Sequence, residues 1–528
     1  MTAAVSRPGF HTTILPSWPR APWCWRSFSL WGASMLTATI LIPLLGALAF
    51  SFLRLNEPAY RWLACGVGSA PLLLLAAVWL GFDTSAGAPA FQYVIDYPWI
   101  PALGIGWRMG VDGIALVVAT MSALLFVAAI AWPAETRGRA REYYAWFLFL
   151  EAVSLGVFLT LDLALFYVFF DLSLVGLFFL IGRWGHGDAE RAAIKFFVYT
   201  FAGSLAILLA IIGLVLATDP LTFDMRTLIA EQALAGMDLR ATLVLVGFVV
   251  GFGIKTPFVP LHTWLPPAHV NAPGPASAVL AGVLLKMGAY GLIRIPYSML
   301  SETFARYAFA LAVLAVISIL WGALVSMAQR DLKRRIAYTS VNHMGYVLLG
   351  IAAAATIGGE QAARQMALTG ATVEMVAHGL ITGALFLICG AFWQRTGDYD
   401  LEQYGGLSQV APNLTRFTVL ASFASLGLPG LAGFVAELQI FVGAFSVYPW
   451  LAAIALLGIL ITAALFLQML QQLFFGELPA DRKSFGDLAR VEIGVLAILA
   501  LLIVVIGIYP NWLLTPINSA TALLTAGF

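Results

Sequence analysis

Charge is scarce in this sequence. Only 10% of its 528 residues are Asp, Glu, Lys or Arg, whereas a soluble domain carries about 25%. So few charges cannot clothe an aqueous surface. With 61% hydrophobic residues and a mean hydropathy of +0.91, the chain reads as a membrane protein. A net charge of +1 excludes the basic footprint of a nucleic-acid partner. Cysteine is scarce too. Cys24, Cys65 and Cys389 lie far apart, with no CxxC and no four-Cys set, which argues against an iron–sulfur or zinc centre. No GxGxxG or GxxxxGK[ST] pattern follows a strand, so no nucleotide site is expected.

What is abundant is long apolar runs. A spanning helix needs about 20 apolar residues. Fourteen candidates meet this, at 36–54, 61–81, 112–133, 143–161, 163–182, 194–217, 241–260, 274–296, 306–326, 334–356, 367–393, 414–446, 449–475 and 491–515. Only Asp162 separates the fourth from the fifth, which demands a tight turn. Residues 1–35 hold Arg7, Arg20, Arg26 and four prolines and read as a tail. A signal peptide is the competing reading, but no small-residue cleavage pattern supports it. The fold class is therefore an all-α polytopic membrane protein of about fourteen helices.

Two candidates are interrupted. The seventh runs into Lys255-Thr-Pro257-Phe-Val-Pro260-Leu-His262, and the twelfth contains Gly427-Leu-Pro429-Gly430 before Glu437. Proline removes a backbone donor, and carbonyls freed in lipid must find other partners. Each break falls in the fourth helix of a five-helix block, 4–8 or 9–13. Matching breaks point to an inverted-repeat transporter. The expected organisation is a tail (1–35), helices 1–3 (36–142), a first repeat (143–300), a second repeat (301–480) and a terminal helix (481–528). Short loops after odd-numbered helices hold fifteen Lys and Arg and those after even-numbered helices six. The bias places the odd loops in the cytoplasm and both termini outside.

Ionisable residues inside apolar helices carry the chemistry. A charge at mid-bilayer costs at least about 2.5–3.5 kcal/mol on insertion scales, so several of them need a purpose. They are Asp171, Lys195, Lys255, Lys286, His343, Glu374, His378 and Glu437, with His262 and His269 in the proline-rich stretch. Asp171 reads as an acid held by a nearby base, or as a structural pair between helices. Lys255 and Lys286 suit reversible proton binding, because a lysine's proton affinity responds readily to burial. Snorkelling remains open for Lys255, which precedes a break. His262 and His269 lack a third ligand, so relay or core roles are favoured over metal binding. Glu374 and His378, four apart, share a helix face and suit a coupled pair. Glu437 reads as a terminal gate or as a cap of the second half-helix.

These motifs have a family resemblance. KTPFVPLHTWLPPAH (255–269), PASAVLAGVLLKMGAYGLIRI (275–295), DLKRRIAYTSVNHMGYV (331–347) and EMVAHGL (374–380) resemble the antiporter-like subunits of complex I. That group extends to multi-subunit cation/proton antiporters and membrane-bound hydrogenases. The resemblance runs from about residue 90 to the C-terminus. Glu437 and the absence of a long lateral helix resemble the subunit M branch. By this resemblance Asp171 pairs with Lys255, and Lys286 is the central relay. His262, His343 and His378 assist, Glu437 hands the proton on, and Asp162 and Lys195 flank helices five and six. There are departures: the family usually has glutamate where Asp171 stands, glutamine where Glu374 stands and aspartate where Pro267 stands. The shorter Asp171 implies a looser or water-mediated contact with Lys255.

The resemblance implies a proton-translocating subunit of a quinone reductase in the bacterial cytoplasmic membrane, with no cofactor in this chain. NADH, FMN, iron–sulfur clusters and quinone would sit in partner subunits, with antiporter-like neighbours on both sides. A sodium/proton antiporter subunit, a ferredoxin-linked or hydrogenase-type relative, and a non-conducting scaffold are the alternatives.

Overall fold

The structure is a computed structural model describing residues 22–236, 238–356 and 359–526. Residues 1–21 of the expected tail lie outside the described residues. The first helix, α1 (Pro22–Phe50), starts within the rest of that stretch. It is followed by α2 (Glu57–Gly81), α3 (Gly113–Ala131), α4 (Ala140–Leu159), α5 (Leu163–Trp184), α6 (Ala189–Val215) and a short α7 (Met225–Glu231). Then come α8 (Leu239–Lys255), a short α9 (Leu265–Asn271), α10 (Gly274–Tyr297), α11 (Ser301–Met327), α12 (Leu332–Ala354) and α13 (Gln361–Thr396). The chain closes with α14 (Pro412–Ser425), α15 (Ala432–Val447), α16 (Pro449–Phe474), α17 (Arg490–Ile508) and α18 (Asn511–Thr525). Ten helices among the described residues are long and apolar enough to cross a membrane.

Local chemistry sets many of the starts. Asp112, Asp162, Asp224, Asp238 and Asp331 each stand just before a helix, and each accepts a backbone N–H from its first turn. This is the standard N-cap arrangement, with an acid at the positive end of the helix dipole. Prolines set the stops. The seventh expected span, drawn to 260, ends at Lys255 because Pro257 and Pro260 cannot donate to a continuing helix. The fourteenth, drawn to 515, stops at Ile508 before Pro510, and α18 restarts at Asn511. The twelfth is split into α14 and α15 by a turn in which Gly427 and Gly430 take left-handed φ of 76° and 91°, a conformation only glycine adopts freely.

Residues 92–111, outside every expected span, form an antiparallel hairpin of β1 (Gln92–Ile100) and β2 (Ile105–Val111). Asp162 clamps this hairpin to the tight α4–α5 turn. Its fully buried carboxylate caps α5 through Ala164 and Leu165, accepts Gly106 N–H at 2.9 Å and pairs with Arg108 at 2.7 Å. Arg108 also meets Asp96 at 3.0 Å, and Arg226 bonds both Asp96 and Asp224. The structure therefore gives Asp162 the work of a cap and clasp.

Two spans lie wholly inside the bundle: α10 and α13 are buried along their entire apolar windows, while α2, α16 and α17 turn most of theirs outward. The remaining helices shield α10 and α13 from lipid.

Asp162→Ala removes the α5 cap, worth about 0.5–2 kcal/mol, together with the most buried partner of Arg108, which keeps Asp96 and the more distant Asp224. Asp96 is 43% exposed at its side chain, so Asp96→Ala costs about 1 kcal/mol or less. Thermal denaturation in detergent should rank them in that order; equal shifts would remove the clasp argument.

Candidate functional site

The two enclosed helices carry the polar axis. In α10 the turn at Leu280–Leu284 is π-helical, a widening common at functional sites. Lys286 sits just beyond it and is fully buried. Its Nζ donates to Ala281 O, five residues back, at 2.6 Å, and lies 2.5 Å from Nδ1 of His378 on α13. A lysine normally reaches for water; here a loosened carbonyl and a neighbouring imidazole take two of its three donor positions.

Beside His378 stands His343 of α12, ring centroids 5.4 Å apart. His343 Nδ1 meets Glu374 Oε1 at 3.1 Å, and its Nε2 meets Ser425 Oγ, at the end of α14, at 3.0 Å. One tautomer donates from Nδ1 to the carboxylate and accepts at Nε2 from the serine. Glu374 and His378 thus share a face of α13 but bond different partners: Glu374 takes His343 and His378 takes Lys286. The second Glu374 oxygen and His378 Nε2 are buried without a protein partner. The row Lys286–His378–His343–Glu374 therefore spans three helices.

Glu437 lies past the first turn of α15, and its carboxyl reaches back into the break. A Cβ on Gly427 would come within 2.2 Å of Glu437 Oε2, so the acid rests against bare glycine backbone.

At the other break, buried Lys255 ends α8, where a cation suits the negative end of the dipole. Its Nζ is 3.1 Å from Ser173 Oγ and 5.0 Å from the Phe170 ring centroid. Asp171, half-buried on α5, accepts from Ser204 Oγ at 2.7 Å. Among the described residues, Lys255 and Asp171 form no direct ion pair within 4.0 Å. Ser204 is the bonded partner of Asp171, and Ser173 that of Lys255.

The remaining candidates are scattered. His262 is buried in the break, facing Tyr338 with centroids 6.1 Å apart. His269, on α9, stacks on Phe386 at 4.3 Å, with neither ring nitrogen bonded. Lys195 is exposed on α6, away from the buried row.

Sequence reading passed over several buried charges. Lys333, counted among the loop cations, is fully buried, donates to Ala272 O and lies over the Tyr399 ring at 5.4 Å. Arg294, also counted in a loop, forms a buried pair with Asp112 at 2.5 Å. Arg335 and Arg364 are buried as well. Removing these four leaves the charge bias between odd and even loops intact. Glu151 in α4 is a further fully buried acid. Its apolar flanks are the same signal that drew attention to Asp171.

A bundle with two broken helices and a buried row of Lys, His and Glu defines an antiporter-like membrane subunit. Comparison with known proteins names the family. Residues 160–462 match the family described as NADH:quinone oxidoreductase/Mrp antiporter, TM, and the chain belongs to it. It is 36% identical over 506 residues to NAD(P)H-quinone oxidoreductase chain 4 1 of Nostoc sp. strain PCC 7120, covering 93% of this chain and 91% of that one. To the corresponding protein of Thermosynechococcus vestitus it is 37% identical over 507 residues, covering 92% of each. Among solved structures, a chain of respiratory complex I from Thermus thermophilus with bound NADH aligns with a TM-score of 0.82 at 30% identity, over 93% of this chain and 99% of that one. A chain of the Mrp complex from Dietzia sp. DQ12-45-1b aligns with a TM-score of 0.81 at 22% identity, over 94% and 98%; that likeness shows the fold alone.

Gly427→Ala and Gly430→Ala both force a left-handed residue, a strain of about 1–2 kcal/mol. Only at Gly427 does the added methyl strike Glu437; at Gly430 nothing lies within 4 Å. Gly427→Ala should therefore lower the thermal midpoint in detergent further than Gly430→Ala. Indistinguishable midpoints would show that the Glu437 carboxyl does not rest there.

Proposed function

We propose that the chain is a proton-translocating, antiporter-like membrane subunit of a respiratory NADH:quinone oxidoreductase. The observation that carries this reading is the connected row Lys286–His378–His343–Glu374, held on helices that include the two wholly enclosed spans. Charges in lipid-depth helices are expensive. A row of groups that each bind a proton, linked by contacts of 2.5 and 3.1 Å across one ring-to-ring gap, suits proton hopping and offers no ligand set for a substrate.

In this reading no bond chemistry occurs in the chain. NADH, FMN, iron–sulfur clusters and quinone belong to partner subunits, and antiporter-like neighbours flank this one in the membrane. Quinone reduction elsewhere disturbs the loose Asp171–Ser204 and Ser173–Lys255 contacts. Lys255 then yields a proton toward Lys286, which passes it through His378 and His343. Glu374 holds the positive charge on His343. Glu437 at the second break hands the proton outward. The matching breaks in α8–α9 and α14–α15 support two inverted five-helix blocks, as broken half-helices around a central site do in transporters. The charge bias of the loops supports odd loops on the cytoplasmic side of a bacterial membrane and both termini outside.

A subunit of a sodium/proton antiporter assembly is the second reading. The Mrp-like fold is compatible with it, while the identity to quinone oxidoreductase chain 4 over nine-tenths of both chains favours the first.

The test is proton pumping in membrane vesicles with quinone-linked NADH oxidation followed in parallel. Lys286→Ala and Lys255→Ala should each lower both rates severalfold in an assembled complex. Unchanged pumping stoichiometry in Lys286→Ala would sink the reading. Intact NADH oxidation together with lost sodium-dependent proton exchange would move the chain to the antiporter reading.

A further inference from the structure

Glu151 takes no part in the row above, and its surroundings set it apart from the structural acids among the described residues. Asp112, Asp162 and Asp331 cap helices. Glu492 pairs with Arg395. Glu151 is fully buried on α4 with neither carboxyl oxygen bonded to any protein donor. Buried polar groups are overwhelmingly hydrogen-bonded, and the exceptions call for an explanation. An acid kept for structure needs partners to hold, and this one has none. Ser154 Oγ, one turn along the same helix, is likewise buried and unbonded.

The facing surface of α2 is shaped for this carboxyl. Gly68 stands against it, and a Cβ there would come within 2.9 Å of Glu151 Oε2. Cys65 and Arg61 follow at three and four residues from one another, so Arg61, Cys65 and Gly68 line one face of α2. Tyr144, two turns before Glu151, lies on the matching face of α4. Arg61 and Glu151 both act electrostatically on Cys65, and Arg61 and Glu57 on Tyr144. These titratable groups lead to a surface pocket of about 340 Å³ at the head of both helices, whose lining includes Arg54, Glu57, Arg139, Arg141 and Glu142. Glu57 at its floor accepts Thr136 Oγ1 at 3.1 Å. From Glu57 to Gly68, and from Ala140 to Glu151, is a climb of roughly 16 Å at 1.5 Å per residue, about half of a hydrocarbon core of about 30 Å.

We propose that Glu151 is a second proton-binding site of this chain, loaded from the Arg54–Glu142 pocket along the facing surfaces of α2 and α4. The ligand is the proton itself: the carboxylate takes one from water entering at that pocket, and the carboxyl returns it when the local field changes. α4 also touches the relay helix, since Tyr290 Oη of α10 donates to Phe158 O at 2.9 Å. A change of charge at Glu151 is therefore felt by the element that holds Lys286. This deepens the proton-translocation reading and rests on it for its purpose, though not for the existence of the site.

The first arm of the test reads the site without activity. The assembled wild-type complex in membranes is treated with a hydrophobic carbodiimide, which reacts with protonated carboxyls in apolar surroundings, and the modified peptides are identified by mass spectrometry. Glu151 is expected to be modified, and the adduct to be absent from Glu151→Gln. An unmodified Glu151 beside a modified Glu437 would overturn the proposal. The second arm compares vesicles carrying Glu151→Gln and Glu151→Asp. The amide should lower pumping and NADH oxidation severalfold, and the shorter acid should keep most of both. Equal losses in the two variants would assign Glu151 to helix packing and overturn the proposal, as would no loss in either. If Lys286→Ala leaves pumping intact, the translocation reading fails by itself, and the carbodiimide result still decides whether Glu151 binds a proton.

Discussion

The contact between Lys286 and His378 is the constraint around which the rest of the bundle is arranged. A lysine at lipid depth is tolerable only where protein supplies its acceptors. Here one acceptor is a carbonyl offered by a π-helical turn and the other an imidazole from a different helix. The second requires α10 and α13 to run side by side in the interior. That explains why these two helices expose nothing along their apolar windows while α2, α16 and α17 face outward. It also explains the small residues between them: a Cβ at Gly274 would meet Gly390 Cα at 2.6 Å, and one at Gly379 would meet Gly282 O at 3.1 Å. Close backbone approach through small residues is how membrane helices associate where no hydrophobic drive exists between them.

Helix positions were legible because hydropathy in a membrane chain reports directly on span. The two breaks were legible because proline and glycine act through their own backbones. Two of the boundaries that moved, at Lys255 and Ile508, moved to the residues that proline chemistry dictates. The hairpin at 92–111 was invisible to a search for apolar runs. Its strands are held less by their own pattern than by Asp162 and Arg108, which are distant from one another in sequence. The candidate site was legible as a set of residues and much less so as a set of pairs. Spacing of four suggested Glu374 with His378, yet geometry sends one to His343 and the other to Lys286. Pairing across helices depends on rotation and depth, which no single helix encodes. For the same reason Lys333 and Arg294 looked like loop cations: both lie near helix ends, and only the fold shows them turned inward.

The acids divide by what surrounds them. Those at helix starts are consumed by backbone N–H groups, and those beside arginine by the ion pair; in both cases a fixed charge is stabilised and a proton has little reason to come and go. Asp162 is the extreme case, with four donors on one carboxylate. The acids of the interior are under-bonded: Glu374 has one oxygen unpartnered, Glu151 both, and the Glu437 carboxyl lies against a bare glycine. A group meant to change its charge cannot be fully satisfied in either state, because complete bonding of one form makes the other inaccessible. Under-bonding is therefore what the proposed role of these acids requires.

The two breaks complete the argument. Lys255 is placed at the end of a half-helix, where backbone carbonyls converge, and the Glu437 carboxyl lies against Gly427 in the turn between two half-helices. The Lys255 charge is favoured by the dipole it faces, so it needs no tight side-chain partner to be held in the bilayer. That freedom is what a loose Lys255 contact, made to Ser173 at 3.1 Å, requires. A strong ion pair would pin the lysine in one state, whereas a helix end supports the charge without fixing it. The first break thus supplies electrostatic support that costs no conformational freedom of the side chain, and the intact enclosed helices supply the geometry.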